Sequence, residues 1–103
     1  MAFALDPQLA AESCFVEDWD LCRVSLKKDK TYPWLQLVPR RENIREIFEL
    51  APRDRTQLIH EAALAGRAMN MLYTPEKINT AMLGNITAQL HVHIFCRYKT
   101  DPA

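Results

Sequence analysis

Nine residues near the C-terminal end, Gln89-Leu90-His91-Val92-His93-Ile94-Phe95-Cys96-Arg97, constrain this chain more than any other stretch. A strand sends successive side chains to opposite faces. Read as a strand, the segment puts Leu90, Val92, Ile94 and Cys96 on one face and Gln89, His91, His93, Phe95 and Arg97 on the other. The first set is a core layer that needs a cover. The second carries two imidazoles and a guanidinium, which a core has no packing reason to align. The chain therefore calls for a sheet with one covered face and one face free for chemistry.

The cover is supplied by Asp54–Tyr73, where Leu58, Ile59, Ala62, Ala65, Met69 and Leu72 recur at helical spacing. The small residues Ala62, Ala65 and Gly66 let this helix lie close to a sheet, and Pro75 ends it. Met69 and Met71 are read as packing. Leu21–Lys27 alternates as a strand, Lys28–Thr31 is a polar turn, and Trp34–Val38 is a second strand stopped by Pro39, so the two form a hairpin. Glu42–Leu50 reads as a short helix with Ile44, Ile47 and Phe48 on one side. Lys77–Leu83 is a third strand, Gly84-Asn85 a turn, and Gln89–Tyr98 the fourth. Ahead of these, residues 1–20 are mixed, with Asp6 and Pro7 placed to cap and open a short helix. The order strand, strand, helix, helix, strand, strand predicts an α+β fold, an antiparallel sheet with helices packed on one face.

Length and charge narrow the function. The chain has 103 residues, the size of a single domain spanning 1–103. Its 13 basic and 13 acidic residues cancel, which argues against nucleic acid as a partner, because phosphate contacts dominate that affinity. One phosphate group needs a few donors and no basic surface. With two glycines, Gly66 and Gly84, no glycine-rich phosphate loop can be built. Cys14, Cys22 and Cys96 are odd in number and form no CxxC pair, so reduced thiols in a cytoplasm are expected. The N-terminus has no basic n-region ahead of Asp6, and no apolar run approaches roughly 18 residues. No membrane partner is expected.

Two histidines at i and i+2 on a strand have three readings. They can be metal ligands, but His60 lies on the far side of the long helix and Cys96 on the opposite strand face, so no metal site is assigned. They can be histidines with no role. They can also be an active site with histidine as nucleophile or base. Trp19 and Trp34 are read as core or interface anchors before base-stacking platforms, and Arg40, Arg41, Arg53 and Arg55 as a solvated face.

The stretch from Ile78-Asn79 through Leu83-Gly84-Asn85 to Gln89-Leu90-His91-Val92-His93-Ile94-Phe95-Cys96-Arg97 resembles the signature of the histidine triad (HIT) family. Tyr32-Pro33-Trp34-Leu35-Gln36-Leu37-Val38-Pro39-Arg40-Arg41 resembles that family's second strand. The likeness runs from about Leu21 to Arg97 and is nearest to the bacterial branch described as diadenosine tetraphosphate hydrolase-like, in which Gln-Leu-His-x-His replaces the full triad.

This resemblance implies a nucleotide hydrolase or nucleotidyl-transfer enzyme cleaving at an α-phosphate, acting on diadenosine polyphosphate or nucleoside phosphoramidate substrates without a cofactor, and a homodimer. It implies that His91 is the nucleophile, its second ring nitrogen held by a backbone carbonyl, and that His93 donates to a phosphate oxygen. Asn79, Gly84 and Asn85 are implied as nucleotide or phosphate contacts. Gln89 stands where the first histidine belongs. A glutamine hydrogen-bonds but exchanges no proton near neutral pH, and general acid catalysis contributes ~10²–10⁴-fold. Gln89 therefore predicts a slower enzyme or a catalytically weak nucleotide-binding module of the same fold. A His-x-His metal-binding protein is the third alternative.

Overall fold

The computed structural model describes residues 3–102. A short helix α1 (Pro7–Ala11) leads into strands β1 (Ser13–Asp18), β2 (Cys22–Lys27) and β3 (Trp34–Pro39). A single 3₁₀ turn at Ile47–Glu49 precedes the long helix α2 (Pro52–Tyr73), and strands β4 (Lys77–Ala81) and β5 (Val92–Arg97) follow. All five strands are antiparallel, in the order β1-β2-β3-β5-β4. The last strand thus inserts between β3 and β4, where neighbours on both sides hold it in place. The α+β architecture is the one expected.

The local causes are readable. Asp6 caps α1 by accepting from the Gln8 N–H at 2.8 Å, with Pro7 at the first helical position. Pro52 opens α2 in the same way, two residues before the expected start at Asp54. Thr74 closes α2 in the left-handed region (φ 44°), its N–H donating to Asn70 O. One face of the sheet packs under α2: Leu58, Ala62, Ala65 and Met69 meet Cys22, Val24, Leu37, Val92, Ile94 and Cys96, with Leu21, Leu50 and Leu90 at the margins. Burying about a dozen such side chains, at ~1.5–3 kcal/mol for each large one, is the main force holding the domain together.

Four expectations are corrected. β1 lay in the stretch read as mixed. It is an edge strand in which one residue, Ser13, is buried, so it carries no alternation to read. The helix expected over Glu42–Leu50 contracts to its 3₁₀ turn. Asn43 has φ 57°, Ile44 O is taken by Leu90 N–H at 2.9 Å, and Ala51, preceding Pro52, is held extended at ψ 152°. On α2, Ile59, Met71 and Leu72 are exposed, and Glu61 lies in the buried stripe in their place. Finally, the regular strand begins at Val92, so Gln89, Leu90 and His91 approach it as irregular chain.

Glu61 explains its own burial. Its two carboxylate oxygens accept the N–H groups of Leu21 and Cys22, each at 2.8 Å, and Gln57 Nε2 donates to it at 2.8 Å. A carboxylate with that many donors is stable inside a protein. It ties the middle of α2 to the start of β2.

Candidate active site

The face of the sheet turned away from α2 carries His93, Phe95 and Arg97 on β5, and Trp34, Gln36 and Val38 on β3. In register, His93 lies between Gln36 of β3 and Ala81 of β4. Residues 82–91 connect β4 to β5 without helix or strand. Their turn uses Gly84 at φ 114°, where a Cβ would meet the Thr87 carbonyl at 3.4 Å. This is the position in the chain that needs glycine.

Loop, strand and α1 enclose a cavity of about 380 Å³. His91 and His93 form its floor, Trp34 and Lys27 one wall, Gln8, Leu9 and Glu12 a second, and Leu83–Thr87 a third. Both imidazoles are largely buried, at 6% and 7% exposure, so each presents little more than an edge to the cavity. Their rings meet edge to face with centroids 4.7 Å apart.

The hydrogen bonds assign the protons. His91 Nδ1 lies 2.7 Å from Gln89 O. A carbonyl only accepts, so Nδ1 carries the hydrogen and, in the neutral ring, Nε2 keeps its lone pair. Trp34 Nε1–H donates to His93 Nδ1 at 2.9 Å. An indole N–H only donates, so His93 Nδ1 is unprotonated and Nε2 carries the hydrogen. Burial, then the neighbouring His91 and Lys27, push the His93 pKa from 6.5 down to about 4, against a smaller opposing pull from Glu12. With both rings neutral, the site sets a lone-pair nitrogen on His91 beside a nitrogen donor on His93.

Lys27 and Glu12 add a charged rim. Lys27 Nζ donates to Glu12 Oε1 at 2.9 Å and lies 5.3 Å from the centroid of the Trp34 ring. That hydrogen bond, with one from Gln8, holds the Glu12 carboxyl below the usual carboxylate range.

Of the residues singled out in the sequence, His91, His93, Gly84 and Asn85 come together at this cavity. Gln89 and Asn79 do not. Gln89 turns instead to a separate cleft of about 410 Å³ beside Ala4, Arg41 and residues 42–45. Its Oε1 accepts the Asp6 N–H at 2.8 Å and its Nε2 donates to Ala4 O at 2.9 Å. Strict alternation predicted a shared face, and it fails because the chain at Gln89 has not yet entered the strand. Asn79 shares the sheet face of His93 but sits opposite Phe95, where its Oδ1 accepts from Arg97 Nη1 at 3.2 Å.

Trp34, Lys27, Gln8 and Glu12 were not foreseen as site residues. For Trp34 and Lys27 a signal existed: each ends a strand on the face opposite the apolar one, and the hairpin brings those ends together. Gln8 and Glu12 carried no such signal, because nothing in the sequence says where α1 docks. No group of three or more His, Cys, Asp and Glu side chains suited to a metal occurs among the described residues. No helix among them is long and apolar enough to cross a membrane.

Comparison with known proteins gives a consistent result. The family model for the HIT domain matches residues 8–100. The chain is similar to the crystal structure of a histidine triad protein from Bradyrhizobium japonicum, with a TM-score of 0.98 and 39% identity over 100% of this chain and 77% of that one. A histidine triad protein from Marinobacter aquaeolei VT8 gives 0.97 and 41% over 100% and 75%. One from Sinorhizobium meliloti 1021 gives 0.95 and 41% over 97% and 74%. No curated protein sequence matches the chain.

Proposed function

This chain belongs to the HIT domain family, and from that premise we propose that it cleaves nucleotides at an α-phosphate through His91. The observation that carries the reading is the opposed tautomers of the two histidines: His91 Nδ1–H on Gln89 O, and His93 Nδ1 on the Trp34 indole.

In the proposed reaction the His91 Nε2 lone pair attacks the α-phosphorus, and the bond to the leaving group breaks with its electron pair. The positive charge formed on the imidazole is stabilised by the Gln89 carbonyl at Nδ1–H. His93 Nε2–H donates to a non-bridging phosphate oxygen as charge gathers there. Water then attacks phosphorus and gives up a proton to solvent, the P–N bond breaks, and His91 regains its lone pair, so one hard displacement becomes two. Gly84 and Asn85 border the path of the phosphate, and Lys27 supplies a cation beside it.

Gln89 offers no proton to the leaving group. Departure as a stable anion, such as a polyphosphate chain, suits this site best. That favours dinucleoside polyphosphates, in line with the Gln-x-His-x-His variant, over substrates whose leaving group must be protonated. The second reading, a nucleotide-binding module with little turnover, rests on the same residue.

The test is a screen of mononucleotides, dinucleoside polyphosphates and nucleoside phosphoramidates, with binding and turnover measured separately. His91→Ala is expected to lower turnover by ~10³-fold or more while nucleotide affinity stays within about tenfold, because covalent attack exists only along the reaction path. Wild-type protein that binds none of these at millimolar concentration removes the function. Unchanged turnover in His91→Ala moves the chemistry elsewhere.

We also propose a homodimer built on β4 and α2. β4 ends the sheet, an unpaired edge of the kind that invites a partner strand. Met71, Leu72, Met82 and Leu83 are exposed around it. Sedimentation at micromolar concentration is expected to give twice the chain mass; a monomer overturns the assignment.

A further inference from the structure

Gln89 occupies the triad position yet spends its side chain elsewhere, and the contacts that leave it can be followed around the site. Its backbone carbonyl holds His91 Nδ1–H at 2.7 Å. Its side-chain amide grips the N-terminal segment twice, accepting from Asp6 N–H and donating to Ala4 O, as a strand neighbour would. Asp6, so placed, caps α1 through Gln8 N–H. From α1, Gln8 Nε2 donates to Glu12 Oε2 at 2.7 Å, and Glu12 holds Lys27 against the Trp34 ring. Trp34 donates to His93 Nδ1. The path begins at the residue that orients His91 and ends at the residue that orients His93. Four side chains on it, Gln8, Glu12, Lys27 and Trp34, line the cavity between the two histidines.

We propose that Gln89 is a positioning residue that straps residues 4–6 to the segment leading into β5 and thereby holds α1 as a wall of the nucleotide site. The physical reason lies in its functional groups. A primary amide carries one acceptor and two N–H donors about 2 Å apart, matching the alternating N–H and C=O of an extended chain. A neutral imidazole has one donor and one acceptor on opposite sides of a ring, so it can satisfy one of the two bonds and not both. In this chain the first triad position has exchanged proton chemistry for construction of the wall. The inference rests on the nucleotide reading above for the role of the wall, but not for the strap itself.

Three variants test it, with AMP as the binding probe. Gln89→Ala removes both strap bonds and leaves the backbone carbonyl in place. Amide hydrogen exchange at Asp6, Gln8 and Ala10 is expected to rise at least tenfold. KM and the AMP dissociation constant are expected to rise about tenfold, more than any fall in kcat. The ¹⁵N signals of His91 are expected to keep Nδ1 protonated. Gln89→Glu, of the same shape, keeps the acceptor for Asp6 N–H and loses the donor to Ala4 O. It is expected to fall between wild type and Gln89→Ala on each readout, and it serves if the alanine variant does not fold. Gln89→His is expected to resemble Gln89→Ala in exchange and affinity. The proposal is overturned if exchange over residues 6–12 is unchanged in Gln89→Ala. It is equally overturned if Gln89→His keeps wild-type affinity and exchange while raising turnover on poor leaving groups, which would make the position purely catalytic. Wild-type protein that fails to bind AMP or any other nucleotide would defeat the nucleotide reading, and the exchange experiment would still decide the strap.

Discussion

The two faces of the sheet are built on different principles. Under α2 the face is apolar and close-packed, from Val24 and Leu37 through Val92, Ile94 and Cys96 to Leu58, Ala65 and Met69. Burial there raises the pKa of the Cys22 and Cys96 thiols, so both stay protonated. The other face buries Ser13, Ser25, Gln36, His91 and His93, with Leu9 and Val38 as its main apolar contribution. Gln36 Oε1 has no hydrogen-bond partner among the described residues, the kind of residual cost a polar layer carries. The first face holds the chain folded. The second holds two imidazoles in opposed protonation, and its order depends on partners brought from α1, β3 and the loop before β5. One strand, β5, serves both because its side chains alternate.

If that division is real, mutations on the two faces should fail in opposite ways. The largest contrast pairs His91→Ala with Met69→Ala. The histidine variant is expected to lose turnover by the factor given above and keep its urea midpoint near wild type. Met69→Ala empties part of a site that is 2% exposed and is expected to cost ~2–5 kcal/mol of stability, with kcat of the folded protein within about threefold. Similar stability losses in the two variants would merge the faces into one cooperative core.

A smaller effect is expected from pH. The folded protein keeps His93 neutral down to about 4, whereas the unfolded chain binds that proton near 6.5. Below 6.5 the unfolded state therefore holds more protons, and stability falls as pH drops from 6.5 to about 4, then levels off for this group. The loss is about 2 kcal/mol, less than full exclusion of water would give, because the ring borders an open cavity. Denaturant midpoints at pH 7 and 4.5 measure it. In His93→Phe that share of the difference should vanish; an unchanged pH dependence would show that the polar face is not where acid weakens the fold.

Much of this was legible in residues. The alternation across Val92–Arg97 marked both faces of β5, and Asp6-Pro7 marked α1. Gly84-Asn85 marked the turn beside the histidines. The Leu21–Val38 hairpin was visible because Cys22, Val24 and Leu26 alternate with Arg23, Ser25 and Lys27, and Pro39 stops the second strand. β1 was not, since an edge strand with both faces near solvent leaves no pattern. Nor was the collapse of the 42–50 helix, since Ile44 gives its carbonyl to Leu90 across the fold. Glu61 reads as one more solvated acid on α2 until two backbone N–H groups from β2 are found on it.

By itself the sequence determined which side chains can share a face, because strand and helix periods are local properties of the backbone. It thereby placed His91 with His93 and put Leu90, Val92 and Ile94 in the core. Only the tertiary structure decided which nitrogen of each ring holds its proton, since that depends on Trp34 and Gln89 O arriving at hydrogen-bond distance. It also decided that Gln89 reaches Ala4 and Asp6, 85 and 83 residues away, and leaves the cavity to the histidines. No local period encodes a contact of that separation; it exists because the segment ahead of α1 meets the chain entering β5, where an N–H and a C=O need partners.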